Sequence, residues 1–304
     1  MTDRLTFREY QELAATTDLV SGDQLEAKMT PLLGLAGEVG SLLSEFKKHM
    51  REGDRYRPFA DQVAEEIGDV LWYLANIASK AGLDFEDVAQ ENLAKVTERW
   101  PRDETNQMSL LPVGGRWFDD EFPAHERLPR TLRVEFRETQ HLGQTTLQML
   151  HDGEPLGDQL TDNSHSQDGY RYHDVFHLTH AIMLGWSPVV RALMRVKRKS
   201  APLIDEVEDG ARAAVTEEAI SAFVFGYARD HSFFDGVNTV DFELLRTIKT
   251  MTQPFEVRAC SFRDWESAIL AGYRVWRDMI QHRGGVFVGD AECRTVSFEP
   301  LAVG

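Results

Sequence analysis

One seven-residue pattern occurs twice in the first quarter of the chain, and it restricts the fold more than any other feature. Residues 37–43 read GEVGSLL and residues 65–71 read EEIGDVL. When residues 34–46 are laid over residues 62–74, apolar residues in both copies recur at i, i+4, i+7, i+8 and i+11, which is one face of an α-helix. The repeat therefore predicts two similar amphipathic helices that pack as an antiparallel hairpin.

The apolar faces of the two predicted helices coincide position by position. They consist of Leu35, Val39, Leu42, Leu43 and Phe46 in the first copy and Val63, Ile67, Val70, Leu71 and Leu74 in the second. We expect these two apolar faces to contact each other along the hairpin.

Acidic residues lie beside these apolar faces at matching positions. Glu38 coincides with Glu66, and Ser41 coincides with Asp69. Because residues i and i+3 share a helix face, the hairpin would bring Glu38, Glu66 and Asp69 close together. Like charges repel, whereas a hard cation such as Mg²⁺ or Mn²⁺ takes oxygen ligands and removes the conflict. Facing helices commonly hold metals in this way.

A simpler alternative is that these carboxylates are solvated charges on two surface helices. Two glycines at matching positions, Gly40 and Gly68, favour the metal site over that alternative. Glycine inside a helix costs ~1 kcal/mol relative to alanine, so a matched pair indicates close helix approach or room for a ligand.

The sequence of this region is similar to that of a known family. GLAGEVGSLLSEFKK, EEIGDVLWYLANIA and ENLAKVTERWP, all within residues 30–101, resemble the MazG-like all-α nucleoside triphosphate pyrophosphohydrolases. That superfamily also contains helical dUTPases and dCTP pyrophosphatases. The resemblance implies a helical bundle that converts an NTP or dNTP and water into the monophosphate and pyrophosphate, in nucleotide-pool cleansing or depletion.

The resemblance also implies roles for particular residues. It makes Glu38, Glu66 and Asp69 ligands of Mg²⁺, with Glu38 or Glu66 accepting the proton of the attacking water. Tyr73 would line the nucleotide pocket. The later N-x-x-K pattern, Asn92 and Lys95, would be directed toward the phosphates.

This chain departs from the family pattern at one predicted ligand. The first family motif is Glu-x-x-Glu, but Ser41 stands at its second glutamate. A hydroxyl is a poorer Mg²⁺ ligand than a carboxylate, so Glu45, one turn further on, is a candidate replacement ligand. Lys47 and Lys48 are candidate phosphate contacts, or simply the solvated end of a helix. A weakened nucleotide-sensing module with a C-terminal effector or partner-binding domain is the alternative function.

The rest of the sequence predicts a mainly α fold with a different second half. We expect an all-α domain over residues 1–104, a proline-containing linker or arm over 105–130, and an α+β domain of unknown role with short β-hairpins over 131–304. Its predicted helices lie near 172–195, 203–230 and 262–282. A diverged copy of the helical domain within 172–230 is an alternative.

Local signals predict several boundaries. Thr6 and Glu9 have capping-box spacing, Thr30 and Pro31 indicate the start of a helix, and Gly82 indicates a helix end. The basic run RVKRKS, residues 195–200, is interpreted as a solvated helix end or a phosphate contact.

Histidines concentrate in the stretch YRYHDVFHLTHA. His173, Asp174 and His177, with Glu217 or Glu218 from the next helix, form a second candidate metal site, because i, i+4 histidines share a helix face. The glutamate that follows the first histidine in zinc proteases is missing. This favours a half-buried helix whose histidines hydrogen-bond to polar neighbours.

Composition limits the partners. The net charge of −17 over 304 residues argues against general nucleic-acid or anionic-membrane binding, although Mg²⁺ can bring a triphosphate to an acidic site. No segment reaches the ~18–20 apolar residues of a membrane span. Two cysteines, Cys260 and Cys293, fit a reduced cytoplasmic protein. One hairpin cannot bury Trp72 and Trp100 as well as its inner face. Proteins of the resembled family pair their subunits, and this resemblance implies a homodimer or a higher homo-oligomer. The alternative is that C-terminal helices cover the same surface within one chain.

Overall fold

The chain divides into two compact units, which are described separately. The computed structural model describes residues 5–20, 22, 24–99, 117–141 and 144–301. The first unit is Met1–Pro101 and the second is Arg102–Gly304. The predicted fold class is confirmed: the first unit is helical, and the second combines helices with a small antiparallel sheet.

Helices account for the regular structure of the first unit. They are α1 (Phe7–Thr16), α2 (Leu25–Glu52), α3 (Phe59–Ala81) and α4 (Phe85–Arg99). The long helices α2 and α3 pack along each other as the predicted hairpin. The capping box of Thr6 and Glu9 is confirmed, and α3 ends at Gly82, which adopts the left-handed conformation that favours glycine (φ 69°).

The predicted start of the first long helix was wrong. Helix α2 begins at Leu25, so Pro31 lies inside it. The hydroxyl of Thr30 does not cap the helix but donates to the carbonyl of Glu26 at 2.8 Å. Proline lacks the N–H that would bond the carbonyl of Ala27, yet the strong helix formers before it carry the helix through that missing bond.

Burial within the first unit differs from the prediction. Its buried cluster joins α1, α3 and α4 through Ala14, Ala75, Ala78 and Phe85. Five residues of the predicted inner faces are instead 38% to 64% exposed: Val39, Leu43, Phe46, Ile67 and Leu74. The expectation that the two faces bury each other was therefore wrong for these residues. The α2–α3 pair leaves a broad apolar face uncovered in the single chain.

Close helix approach occurs at a different glycine from those predicted. A Cβ atom at Gly40 or Gly68 would meet nothing within 4 Å. A Cβ at Gly34 would lie 2.2 Å from Cε1 of Tyr73. The matched glycines therefore do not mark a tight helix crossing, and the space beside them is open.

The second unit contains a five-stranded antiparallel sheet. Its strands are β1 (Thr131–His141), β2 (Gln144–His151), β3 (Glu154–Pro155), β4 (Gly284–Asp290) and β5 (Thr295–Glu299), in the order β3-β2-β1-β4-β5. Glu135 pairs with Leu150 in the β1–β2 hairpin, and Thr131 pairs with Asp290 where β1 meets β4. The β1–β2 and β4–β5 pairs confirm the expectation of short β-hairpins in this region, and strands from both ends of the described part of this unit share one sheet.

The second unit also contains helices. They are α5 (Asp174–Met183), α6 (Pro188–Leu193), α7 (Pro202–Val207), α8 (Ala211–Arg229), α9 (Phe242–Thr252) and α10 (Phe262–His282). Of these, α5 and α10 contact the sheet. The sequence analysis did not predict α9. Helix α5 packs on α10 and on strands β4 and β5, and each of its residues is buried. The 172–230 region is thus broken into separate helices and does not reproduce the α2–α3 pair, contrary to the diverged-copy alternative.

Part of the expected linker belongs to the core of the second unit. Trp117 and Leu128 are buried in that core. The buried carboxylate of Asp119 accepts hydrogen bonds from Arg130 (2.6 Å) and Arg191 (2.7 Å). The linker prediction was therefore wrong for residues 117–130, while residues 105–116 lie outside the described residues.

The prediction of a solvated helix end for the basic run RVKRKS was wrong for Arg198, whereas Arg195 and Lys199 are exposed. Arg198 is fully buried, and its Nη2 donates to Asp209 and to Glu256, both at 2.7 Å. Burying a guanidinium requires such paired carboxylates, so Arg198 is a structural cation of the second unit.

Among the helices of the described ranges, none combines the length and the apolar composition needed to cross a bilayer.

Candidate functional site

Three predicted ligands come together on the α2–α3 pair. Oxygen atoms of Glu38, Glu66 and Asp69 all lie within 4.8 Å of one another. Glu38 and Glu66 are half-buried and Asp69 is exposed, so the group opens to solvent on one side. Within the part of the chain that the structure describes, none of the three carboxylates has a hydrogen bond or an ion pair with a donor. Their role as metal ligands stays a prediction.

The electrostatics of this group favour a cation. Burial raises the pKa of Glu66 above its usual value, and the neighbouring charges of Glu38 and Asp69 raise it further. The three carboxylates are an oxygen-only donor set, which is what hard divalent cations bind. The residues present therefore fit a metal of the Mg²⁺ class.

Glu45 does not join this group, contrary to its predicted role as a replacement ligand. Its buried carboxylate accepts from Nζ of Lys48 at 2.5 Å and from the hydroxyl of Tyr56. The bonds from Lys48 and then Tyr56 hold the pKa of Glu45 below its usual range. Both oxygens are therefore engaged with donors. Tyr56 lies in the turn after α2, where no periodic pattern could have indicated the contact.

The two lysines at the end of α2 face different environments. Lys47 is exposed, whereas Lys48 is half-buried beside the acidic group. Its hydrogen bond to Glu45 raises the pKa of Lys48, and the charge of Glu66 adds a smaller contribution. Lys48, not Lys47, is the lysine that the fold brings to the carboxylates.

The predicted substrate-binding residues lie on different helices. Tyr73 is half-buried on α3, and its ring lies 4.9 Å from that of Trp72, edge to face. Asn92 is exposed on α4, which packs on α1 and α3. The side chain of Lys95 lies outside the described residues. Tyr10 of α1, which the sequence analysis missed, has a pKa raised by burial and by the charge of Asp69, so it lies on the Asp69 side of the group.

The histidine cluster of the second unit forms a buried network. Nδ1 of His177 lies 3.0 Å from Oε1 of Glu217, and its Nε2 lies 3.3 Å from Oε2 of Glu218. Nε2 of His173 lies 4.0 Å from the same Glu218 oxygen and also 4.0 Å from Asp174. The structure thus brings the predicted residues His173, Asp174, His177 and Glu217 into one region, with Glu218 opposite both imidazoles.

Glu217 is the centre of this network. Its carboxylate accepts from the Ser187 hydroxyl (2.8 Å) and the Val189 amide (3.1 Å), and it lies 3.2 Å from Nδ1 of His180. Burial opposes a charge on Glu217, but the contacts with His177 and His180 outweigh it and lower its pKa to about 2. Glu217 is therefore held ionised inside the protein.

Comparison with known proteins assigns both units. A model of the MazG nucleotide pyrophosphohydrolase domain matches residues 27–102, and a model of the MazG C-terminal domain matches residues 114–302. The chain belongs to the MazG family. The match of the MazG C-terminal domain covers the region that the sequence analysis could not assign. Enzymes of the MazG nucleotide pyrophosphohydrolase family generally depend on a divalent metal.

One curated relative of this MazG chain is the gene 37 protein of Mycobacterium phage L5. It is 32% identical over 99 residues, which are 31% of this chain and 87% of the phage protein. No solved structure matches the chain.

Proposed function

We propose that the N-terminal unit of this MazG protein hydrolyses nucleoside or deoxynucleoside triphosphates to the monophosphate and pyrophosphate, with Mg²⁺ as its metal and Mn²⁺ as a substitute. The observation that carries this proposal is the group formed by Glu38, Glu66 and Asp69. Three carboxylates whose oxygen atoms lie within 4.8 Å, with no ion pair among the described residues, are a donor set for a hard metal ion. Nucleotide-pool cleansing or depletion in the cytoplasm is the role that follows.

Metal and protein would divide the chemistry. A bound Mg²⁺ supplies charge compensation for the triphosphate and polarises the phosphoryl group that water attacks. Glu38, Glu66 and Asp69 hold the ion. The ion pair with Glu45 positions Lys48 beside these carboxylates. Its ammonium group would contact the phosphates of the nucleotide.

A glutamate of this group would accept the proton of the attacking water. Glu66 is one candidate, since its carboxylate lies in the group on α3. Glu38 is the other candidate, since it lies on the facing helix at the same group. Tyr73 would line the pocket for the nucleotide.

A second candidate function is nucleotide binding without efficient hydrolysis. Ser41 favours it, because this chain has a hydroxyl where the family pattern has a carboxylate. The structure adds that Glu45 is bound to Lys48 and Tyr56, so it does not replace the missing ligand. The C-terminal unit would then serve as an effector or as a partner-binding domain.

A substrate screen separates these functions. We would incubate the full chain with the common NTPs and dNTPs in Mg²⁺ or Mn²⁺ and measure pyrophosphate release. Glu66→Gln should abolish release. Glu65→Gln, which changes the exposed neighbouring glutamate on the same helix, should leave it unchanged. Nucleotide binding without pyrophosphate release for any substrate would favour the sensing function and reject hydrolysis.

A further inference from the structure

We infer that His173, His177 and Glu218 form a second metal site, in the C-terminal unit, which takes a divalent transition-metal ion such as Zn²⁺ through two imidazole nitrogens and one carboxylate oxygen. One ligand atom from each of the three residues lies within 4.8 Å of the other two. His173 precedes the first turn of α5, His177 follows one turn later, and Glu218 faces them from α8.

Nδ1 of each imidazole has a partner that would orient the ring so that its Nε2 can bind a metal. Nδ1 of His173 lies 2.9 Å from the carbonyl oxygen of Tyr170. Nδ1 of His177 lies beside the buried Glu217 carboxylate at 3.0 Å. Both contacts favour a proton on Nδ1, which makes the two Nε2 atoms, both near Glu218, the nitrogens that a metal would bind. Metal-binding histidines almost always have their second nitrogen next to a carboxylate or a backbone carbonyl in this way.

The distances fit a compact coordination group. In a tetrahedral zinc site with bonds of 2.0–2.1 Å, ligand atoms are about 3.3 Å apart. Nε2 of His177 lies 3.3 Å from Oε2 of Glu218, and Nε2 of His173 lies 4.0 Å from that oxygen. Small side-chain adjustments would shorten the distance between Nε2 of His173 and Oε2 of Glu218 to the value expected around an ion.

His177 supplies an independent observation. Its ring is completely buried, and within the described residues its Nε2 makes no hydrogen bond of ordinary geometry, although it lies near Glu218. A buried polar atom without a hydrogen bond is rare in folded proteins and requires an explanation, such as a bound ion. A metal at Nε2 would satisfy that nitrogen.

Access and ligand type distinguish this site from the carboxylates of the N-terminal unit. The side chain of Glu218 is 46% exposed, whereas those of His173 and His177 are 12% and 0% exposed. An ion could therefore enter from the Glu218 side and keep an open position for water. Imidazole suits Zn²⁺ and similar transition metals, whereas Mg²⁺ prefers an all-oxygen group such as Glu38, Glu66 and Asp69.

The test uses the full-length chain carrying Glu66→Gln, which disables the N-terminal group. After removal of metals with a chelator, the protein is titrated with Co²⁺, which gives visible absorption when nitrogen ligands bind it, and with Zn²⁺ by calorimetry. We expect one ion to bind per chain. Adding Glu218→Gln or His173→Gln should weaken binding by at least about tenfold.

A matched histidine serves as the control. His231 is exposed and has the same type of Nδ1 contact with a backbone carbonyl, to Tyr227 at 2.8 Å, but it belongs to none of the metal-competent groups of the described residues. His231→Gln should leave Co²⁺ binding unchanged. Because Glu218 is partly exposed, its variant should fold, and thermal melting of the metal-free proteins checks this.

Two results would overturn the proposal. One is a Glu66→Gln chain that binds neither Co²⁺ nor Zn²⁺, in which case the cluster is only an ion-pair network. The other is binding that Glu218→Gln and His173→Gln weaken no more than His231→Gln does.

Discussion

The aromatic ring of Tyr73 occupies the space that a side chain at Gly34 would need. A Cβ atom built at Gly34 would lie 2.2 Å from Cε1 of Tyr73, well inside van der Waals contact. Because Gly34 has no side chain, the ring of Tyr73 on α3 can pack directly against α2. We propose this ring as part of the nucleotide pocket.

We expect Gly34→Ala to displace Tyr73 and to raise KM for the nucleotide severalfold, with a smaller effect on kcat. Alanine favours a helix by ~1 kcal/mol over glycine, so stability should change little despite the displaced ring. Steady-state kinetics measures the effect. Gly37→Ala is the control, since a Cβ there meets nothing within 4 Å. Equal KM values for the two variants would contradict a role of Tyr73 in substrate binding.

Metal-free Glu66→Gln and Asp69→Asn proteins should melt no lower than the metal-free parent. Each substitution removes one of three carboxylates that repel one another, and burial adds to the cost of charge on Glu66. The parent should gain more stability than either variant when Mg²⁺ is added. Thermal melting with and without Mg²⁺ tests this. If Mg²⁺ raises the melting temperature of the parent and of the variants equally, the metal site is contradicted.

Ser41→Glu should tighten Mg²⁺ binding. The substitution restores a carboxylate three residues after Glu38, on the same helix face. Calorimetric titration measures the affinity. Ser44→Glu adds the same charge at an exposed position of α2 and serves as the control. If both variants bind Mg²⁺ equally, position 41 does not reach the ion.

The uncovered face of the α2–α3 pair should be buried in a homodimer. Leu43 is 64% exposed and Ile67 is 52% exposed, which is unusual for adjacent apolar helices of a monomer. Leu43→Lys should shift the full chain toward monomer in light scattering. Leu203→Lys, at a 71% exposed leucine of the second unit, should not. A parent chain that stays monomeric across micromolar concentrations would reject the dimer.

Asp119→Asn should destabilise the second unit by about 3 kcal/mol, because it leaves Arg191 with only the more distant Asp209 and Arg130 with only the partly exposed Asp120 as counter-charges. Burial opposes the charge of Asp119, but Arg130 and Arg191 outweigh it and lower its pKa. Its contribution is therefore present above the pKa of the unfolded chain and is lost as pH falls through the lower folded value.

Urea unfolding of this pair of proteins at neutral and acidic pH measures that effect. The difference in stability between parent and Asp119→Asn should shrink on acidification. The exposed Asp158→Asn is the control and should stay within about 0.5 kcal/mol of the parent at each pH. If the difference in unfolding free energy between the parent and Asp119→Asn grows in acid, the Asp119 carboxylate is not the stabilising charge.

Helical periodicity was enough to predict the group of Glu38, Glu66 and Asp69. Each residue follows a local pattern, and the short turn between the two long helices brings them side by side as a hairpin. The family pattern added the expected chemistry. Hairpins β1–β2 and β4–β5 were predictable for the same reason, since their pairing involves neighbouring segments.

Only the tertiary structure decided which side chains from distant segments meet. It directs Glu45 to Tyr56, away from the carboxylates that it was expected to join. It buries Arg198 between Asp209 and Glu256, and it places Glu217 at Nδ1 and Glu218 at Nε2 of His177, a choice that the sequence had left open. Periodicity gives the face of a helix on which a residue lies. What that face contacts depends on how helices and strands far apart in the chain pack, and no local spacing encodes it.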